Sequence, residues 1–359
     1  MPCLAAVTDS LSLIKITSAY KVKHRSGIGV TGSRVLYWLG LEEIMIVVTG
    51  GTGFIGRHVV ERLMAEGRPV RLLLNAARAE NLPFKTPPEV VVGSILDEEA
   101  LFKAVTGAHA IIHLENAQWW GRQRDLERIE LQGTRLLISS ARAARVGRIL
   151  TVSQLGASPA SGYPLLRYKG MVEEAVRTSG LAYTIIRSGL VYGQGDAFVD
   201  HLAMQFAANP FFFLMPGQGE IVLHPLHIDD LVSAIIAALD TLDVIDTTVE
   251  IGGPEYITLA DLLQTVMRVT GMHRFVLSVP PYLLRWLTAA YGLVVPRSLI
   301  TNQWLDILAS NRTARIGTIF QVFGVRPARF EDTLLTYMRG RRYGRLLLRY
   351  TFQRRPRIL

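Results

Sequence analysis

The run Thr49-Gly50-Gly51-Thr52-Gly53-Phe54-Ile55-Gly56 constrains this chain more than any other stretch. It follows a short apolar segment, Met45–Thr49, and opens onto Phe54–Glu66, where apolar residues recur at helical spacing until Gly67. Strand, glycine-rich turn and helix, in that order, form the unit that seats a dinucleotide pyrophosphate. Gly50 permits the tight turn, Gly53 lets the backbone approach a phosphate, and Gly56 lets helix and strand lie close. Amides around Thr52, Phe54 and Ile55 at the helix start would hold the phosphate oxygens.

The pattern that begins there continues. Pro69–Leu74, Val90–Val92, Ala108–Leu114, Arg148–Ser153 and Tyr183–Arg187 are apolar runs of strand length. Helical spacing fills Glu98–Val105 behind the cap Asp97, about Arg124 to Ala144, and Leu165–Ser179 before Gly180. Asn75–Glu89 has no helical period and contains Pro83, Pro87 and Pro88, so it reads as a loop. This alternation predicts an α/β fold, a Rossmann-type doubly wound parallel sheet, over residues 45–195. After Gly195 the alternation lapses. Asp230–Leu239, Leu259–Val269 and the segments after Pro280 and Pro296 read as helical, with strand-like pieces at Ile221–Leu223 and Val249–Ile251. Residues 196–338 are therefore expected to form a smaller, mostly helical substrate or partner region packed on the Rossmann domain.

The net charge of +9 suggests an anionic partner until it is located. Residues 339–359 hold eight arginines and no acid, whereas residues 45–338 hold 26 bases against 27 acids. The body is neutral and the basicity is terminal. Residues 1–44 show no lasting period and read as a weakly structured extension, with Met45 an alternative start. No basic-then-apolar signal pattern opens the chain. The single cysteine, Cys3, excludes a disulfide framework and a cysteine zinc site. No metal site is expected: in His224-Pro225-Leu226-His227 the proline spoils helical presentation, and hydrogen-bonded histidines are the simpler reading. No uncharged stretch reaches the length of a membrane span. Phe275–Val295 comes nearest, but Pro280, Pro281 and Arg285 interrupt it, and it reads as an apolar helix that is buried, partner-facing or lying on a surface.

The turn resembles that of the extended and atypical short-chain dehydrogenase/reductases, whose glycines are spaced GxxGxxG. The likeness continues through Gly93, Asp97, Gly107, Gly133-Thr134, Ser153, Lys169, Arg187, Tyr192-Gly193, Asp196, His227 to Asp230, and Gly252 to Glu255. It is similar above all to the branch containing the dehydrogenase-like accessory subunit of respiratory complex I and its bacterial relatives, most visibly over Tyr163 to Gly195. The resemblance implies dinucleotide contacts at Gly50, Thr52, Gly53, Phe54, Ile55, Gly56, Asn75, Arg78, Ser94, Leu114, Ser153, Lys169, Ser188, Gly189 and Leu190. Where an acid would bind the ribose 2′-hydroxyl of NAD, the sequence has Leu74, Asn75, Ala76 and Ala77, with Arg78 next and Arg71 in the strand, which favours NADP(H) over NAD(H).

The same resemblance implies a Ser, Tyr, Lys and Asn set. Ser153 and Lys169 match two of its members. The tyrosine position, one helical turn before Lys169, is Leu165, and the asparagine position is Glu130. Leucine transfers no proton, so the family's acid/base is missing. Tyr168 points about 100° away around the helix, and Tyr163, before Pro164, is the one possible substitute. Ser94 and Ser188 stand where Asp and Pro are usual.

Three functions follow as expectations. The first is an NAD(P)-binding protein with weak or lost catalysis and a membrane-associated accessory or assembly role. The second is an active NAD(P)-dependent reductase, dehydrogenase or epimerase on a small lipophilic, quinone- or isoprenoid-like substrate. The third is a nucleotide-sensing regulator. Phe211 to Met215 is either a lipophilic substrate pocket or an apolar seam. The tail mixes arginine with Tyr343, Leu346, Tyr350 and Phe352, which suits an anionic membrane surface or an acidic protein partner and not nucleic acid. The expected location is cytoplasmic, peripheral on the inner face of a membrane.

Overall fold

Seven apolar strands pair in parallel, each bringing N–H and C=O groups that only neighbouring strands can satisfy once both faces are covered. The computed structural model describes residues 44–117, 123–294 and 298–352. The expectation for residues 1–43 lies outside the described residues, as does the last part of the basic tail.

In chain order the elements are β1 (Ile46–Thr49), α1 (Phe54–Ala65), β2 (Val70–Leu74), a one-turn helix α2 (Ala76–Ala79), β3 (Glu89–Val92), α3 (Glu98–Val105) and β4 (Ala110–His113). A π-helical stretch, Leu126–Gln132, leads into α4 (Gly133–Ala143). Then follow β5 (Arg148–Gln154), α5 (Pro164–Arg177), β6 (Ala182–Ser188), β7 (Leu190–Tyr192), α6 (Val199–Ala208), β8 (Phe212–Pro216), β9 (Val222–Leu223), β10 (Pro225–His227) and α7 (Ile228–Asp240). The chain continues through β11 (Thr247–Ile251), β12 (Ile257–Thr258), α8 (Leu259–Thr270), β13 (Phe275–Val279), α9 (Pro281–Val294), α10 (Asn302–Ile307), α11 (Thr318–Phe323), α12 (Phe330–Tyr337) and α13 (Tyr343–Phe352).

The sheet order is β11-β6-β5-β4-β1-β2-β3. The order reverses between β1 and β4, and ligands of such sheets bind in the crevice at that switch point. Two apolar cores cover the faces. One joins β1 and β4 residues such as Val47 and Ile111 to α3, α4, α5 and the C-terminal helices. The other joins Val48 and Ile112 to α1, α7 and Ile319 of α11. The parallel sheet read from the sequence is present, and three pieces differ from expectation. The Asn75–Glu89 loop contains α2, capped by the Asn75 side chain on the Arg78 amide. Val249–Ile251 is no part of a separate helical region, because β11 pairs with β6 at the sheet edge. Phe275–Val295 is not one helix: it is β13, paired with β8, and then α9.

Candidate nucleotide site

The glycine-rich turn lies at the switch point. Gly50 has φ +68, and a Cβ there would come within 2.6 Å of the Leu114 carbonyl oxygen. A Cβ on Gly56 would lie 2.2 Å from the Gly50 oxygen, so α1 reaches its place against β1 only with glycine at that position. Gly53 is the N-cap of α1, with no side-chain cap and no acid in the first turn. The leading amides around Phe54 and Ile55 are therefore left for an anion, and the positive end of the helix faces it.

Beside the turn a narrow cleft is lined by Leu74, Asn75, Arg78, Ser94, Glu115 and Ala117, among others. Ser94 and Arg78 line it. Arg71 does not: its guanidinium bonds Glu89 at 2.7 Å and the carbonyls of Ala104 and Thr106. Sequence reasoning missed Glu115. Its carboxylate is 4.0 Å from the Arg78 guanidinium. Burial raises its pKa, while Arg78 and the Gly50 amide pull it back. An acid directly behind an apolar strand run, at the mouth of the switch point, was the available signal.

Ser153 and Lys169 come from β5 and α5, which pack against each other. Ser153 ends in β5, is 6% exposed, and its Oγ has no partner among the described residues. Lys169 is on α5, which Arg187 of β6 clamps to the sheet through two bonds to the buried Glu173, 2.9 and 2.7 Å long. The Lys169 ammonium is 2.8 Å from Glu130 Oε2, and Glu130 Oε1 accepts the Ala117 amide at 2.9 Å. A carboxylate thus stands where the resemblance implies an amide, and it neutralises the lysine. Leu165 is fully buried, and its amide donates to Asp306 at 3.4 Å. Tyr163, the N-cap residue of α5, packs its ring 5.5 Å beneath the Arg285 guanidinium. Tyr168 reaches Glu127 at 3.5 Å.

Other polar groups nearby find partners. His113 lies between Thr49 Oγ1 (2.7 Å) and Thr134 Oγ1 (2.8 Å). The Thr134 hydroxyl donates to the Glu130 carbonyl, so His113 Nε2 carries the proton and Nδ1 accepts from Thr49. Burial, then Lys169, lowers the His113 pKa to about 3, so the ring is neutral. Ser188 Oγ donates to the Ser153 carbonyl, and the amides of Gly189 and Leu190 bond Ile251 and His224. His224 bonds the Gly253 carbonyl at 2.8 Å.

A dinucleotide would place its pyrophosphate at the uncapped helix start and glycine cradle and its adenosine near Ser94, Asn75 and Arg78, and Lys169, held by Glu130, would be the residue for the second ribose. Bound there, the nicotinamide would supply hydride chemistry. The chain itself offers Ser153 as a hydroxyl donor and no proton-transferring group at position 165. The fold is similar to that of the extended, atypical short-chain dehydrogenase/reductases. Residues 50–197 match the NAD(P)H-binding family.

Among its relatives the chain is 26% identical to the mitochondrial NADH dehydrogenase [ubiquinone] 1 alpha subcomplex subunit 9 of Rattus norvegicus, over 70% of this chain and 67% of that one. It is 24% identical to the photosystem II assembly factor Ycf39 of Guillardia theta, over 85% of this chain and 96% of that one. Among solved structures, UDP-glucose 4-epimerase of Thermotoga maritima with UDP-glucose superposes at TM-score 0.64 and 22% identity, over 85% of this chain and 99% of that one. That likeness concerns the fold.

Proposed function

We propose that this chain binds an NAD(P) dinucleotide, has weak or lost catalysis, and serves as an accessory or assembly factor peripheral to the inner face of a membrane. One observation carries the reading: buried Leu165 fills the proton donor's place, and Glu130 holds the lysine that would have activated a donor. The two relatives named above, a respiratory subunit and an assembly factor, support the accessory role. The arginines of 339–359 support the surface, and among the described residues no helix is long and apolar enough to cross a membrane.

NADP(H) is preferred to NAD(H), because Arg78 lines the adenosine cleft and no acid ends β2. Fluorescence titration tests this. NADPH binds more tightly than NADH, and Arg78→Ala lowers NADPH affinity by about tenfold with little effect on NADH. Failure to bind either below millimolar overturns the reading. A second reading, an active reductase on a quinone-like substrate, keeps support from the buried Ser153 Oγ, which has no hydrogen-bond partner among the described residues. Quinone reduction lost on Tyr163→Phe would favour it.

A further inference from the structure

Half of the twenty exposed large apolar side chains among the described residues fall in one supersecondary unit. β8 and β13 form a two-stranded ribbon in which Phe212 opposes Phe275, and α9 packs beside it. On the ribbon Phe211 is 73% exposed and Phe275 81%. On α9, Tyr282, Leu283, Trp286, Leu287 and Tyr291 are exposed, while Leu284 and Thr288 face inward. At about 100° per residue the exposed five span one half of the helix. A patch of this size on a folded chain marks a contact surface.

Its charge pattern says what covers it. Residues 262–305 contain four arginines and no acid, although Arg268 pairs with Glu331 and Arg285 with the buried Asp306. Arg274, next to Phe275, bonds only the carbonyls of Phe206, Asn209 and His273 among the described residues, so its charge is uncompensated. The C-terminal helix α13 continues the pattern. Leu346, Leu347 and Tyr350 pack inward, while Arg345, Leu348, Arg349 and Phe352 point outward, with Phe352 81% exposed. No acid follows Asp332. On its inner side α13 packs on α6, where the His201 ring contacts Tyr350.

We infer that the β8–β13 ribbon, α9 and the outer face of α13 form one platform that lies on an anionic lipid bilayer. Tyr282, Trp286 and Tyr291 are the side chains that settle at a headgroup boundary, apolar in the ring and polar at the tip. Arg274, Arg345 and Arg349 meet lipid phosphates. Arg274, Arg345 and Arg349 form no ion pair among the described residues, and such uncompensated cations favour an anionic surface.

The inference deepens the membrane-associated reading and rests on it. The test uses the full chain, sedimented with phosphatidylglycerol-containing vesicles and with pure phosphatidylcholine vesicles. Phe275→Ser with Trp286→Ser lowers partition onto both by about tenfold or more, each ring losing its burial in lipid. Arg345→Gln with Arg349→Gln lowers partition onto the anionic vesicles alone, roughly tenfold. All replaced side chains are exposed, and retained NADPH affinity reports an intact body. Sedimentation of the Phe275/Trp286 variant equal to the parent overturns the platform and leaves the membrane role to another segment. A parent chain that binds neither vesicle overturns both. A parent dimer that the same variant dissociates, without vesicle binding, assigns the patch to a second copy and overturns the platform.

Discussion

Replacing Glu130 by Gln separates the electrostatic role of this residue from its shape. Both partners of the Glu130–Lys169 pair are enclosed, with side chains 2% and 9% exposed and charges 2.8 Å apart. The amide keeps the volume and still accepts the Ala117 amide, but leaves an ammonium in the interior with no carboxylate. Breaking a buried pair from one side costs about 3–5 kcal/mol, because the surviving charge keeps its desolvation penalty. At about 2 °C per kcal/mol for a body of this size, the melting temperature falls by roughly 6–10 °C. Lys169→Met strands the carboxylate and destabilises similarly. The double variant loses both charges and melts within roughly 2 °C of the parent, since an apolar replacement for a buried pair is close to neutral. Calorimetry of the four proteins measures the coupling. Two single variants that melt like the parent, or two losses that simply add, would refute the claim that Glu130 neutralises this lysine.

Two further outcomes follow from other parts of the site. Gly56→Ala forces a methyl to 2.2 Å from the Gly50 oxygen and 2.7 Å from the Gly51 Cα, both backbone atoms. It should cost about 1–3 kcal/mol and weaken NADPH at least about tenfold, and unchanged melting and affinity would show that α1 does not need this approach. Burial holds His113 down to about 3 and His201 to about 4. In the unfolded chain both take a proton near 6.5, so their stabilising contribution is full above that pH and declines as pH falls towards 4, by up to about 1.4 kcal/mol per unit each. Urea midpoints measured downward from neutrality should fall less steeply in His201→Phe than in the parent, and identical slopes would contradict the assignment.

The sheet was legible because parallel strands buried on both faces leave unbroken apolar runs, and the nucleotide turn because glycine is irreplaceable where Gly50 and Gly56 sit. Strand order is another matter. Val249–Ile251 lies at the sheet edge beside β6, and nothing in a linear pattern reports which neighbour a strand will take. The break inside Phe275–Val295 had a visible cause: Pro280 disfavours helix in the residue before it, and the β-branched Val276 and Val279 precede it. Lys169 and Leu165 were readable as a lysine without its tyrosine, one turn apart. Glu130 was readable only as an oddity, since its meaning is a contact between two helices. Glu115 went unread for the same reason, its partner Arg78 coming from another strand's end.

The Glu130–Lys169 pair also limits how this site could change. A tyrosine at the fully buried position 165 would need room the packing does not offer, and would face a lysine already spoken for. An asparagine at position 130 alone would strand that lysine. Each step towards a proton-transferring site therefore passes through a less stable protein. On the reading proposed above, the carboxylate works as a ratchet: once Lys169 depends on it, neither member of the pair can change alone without cost.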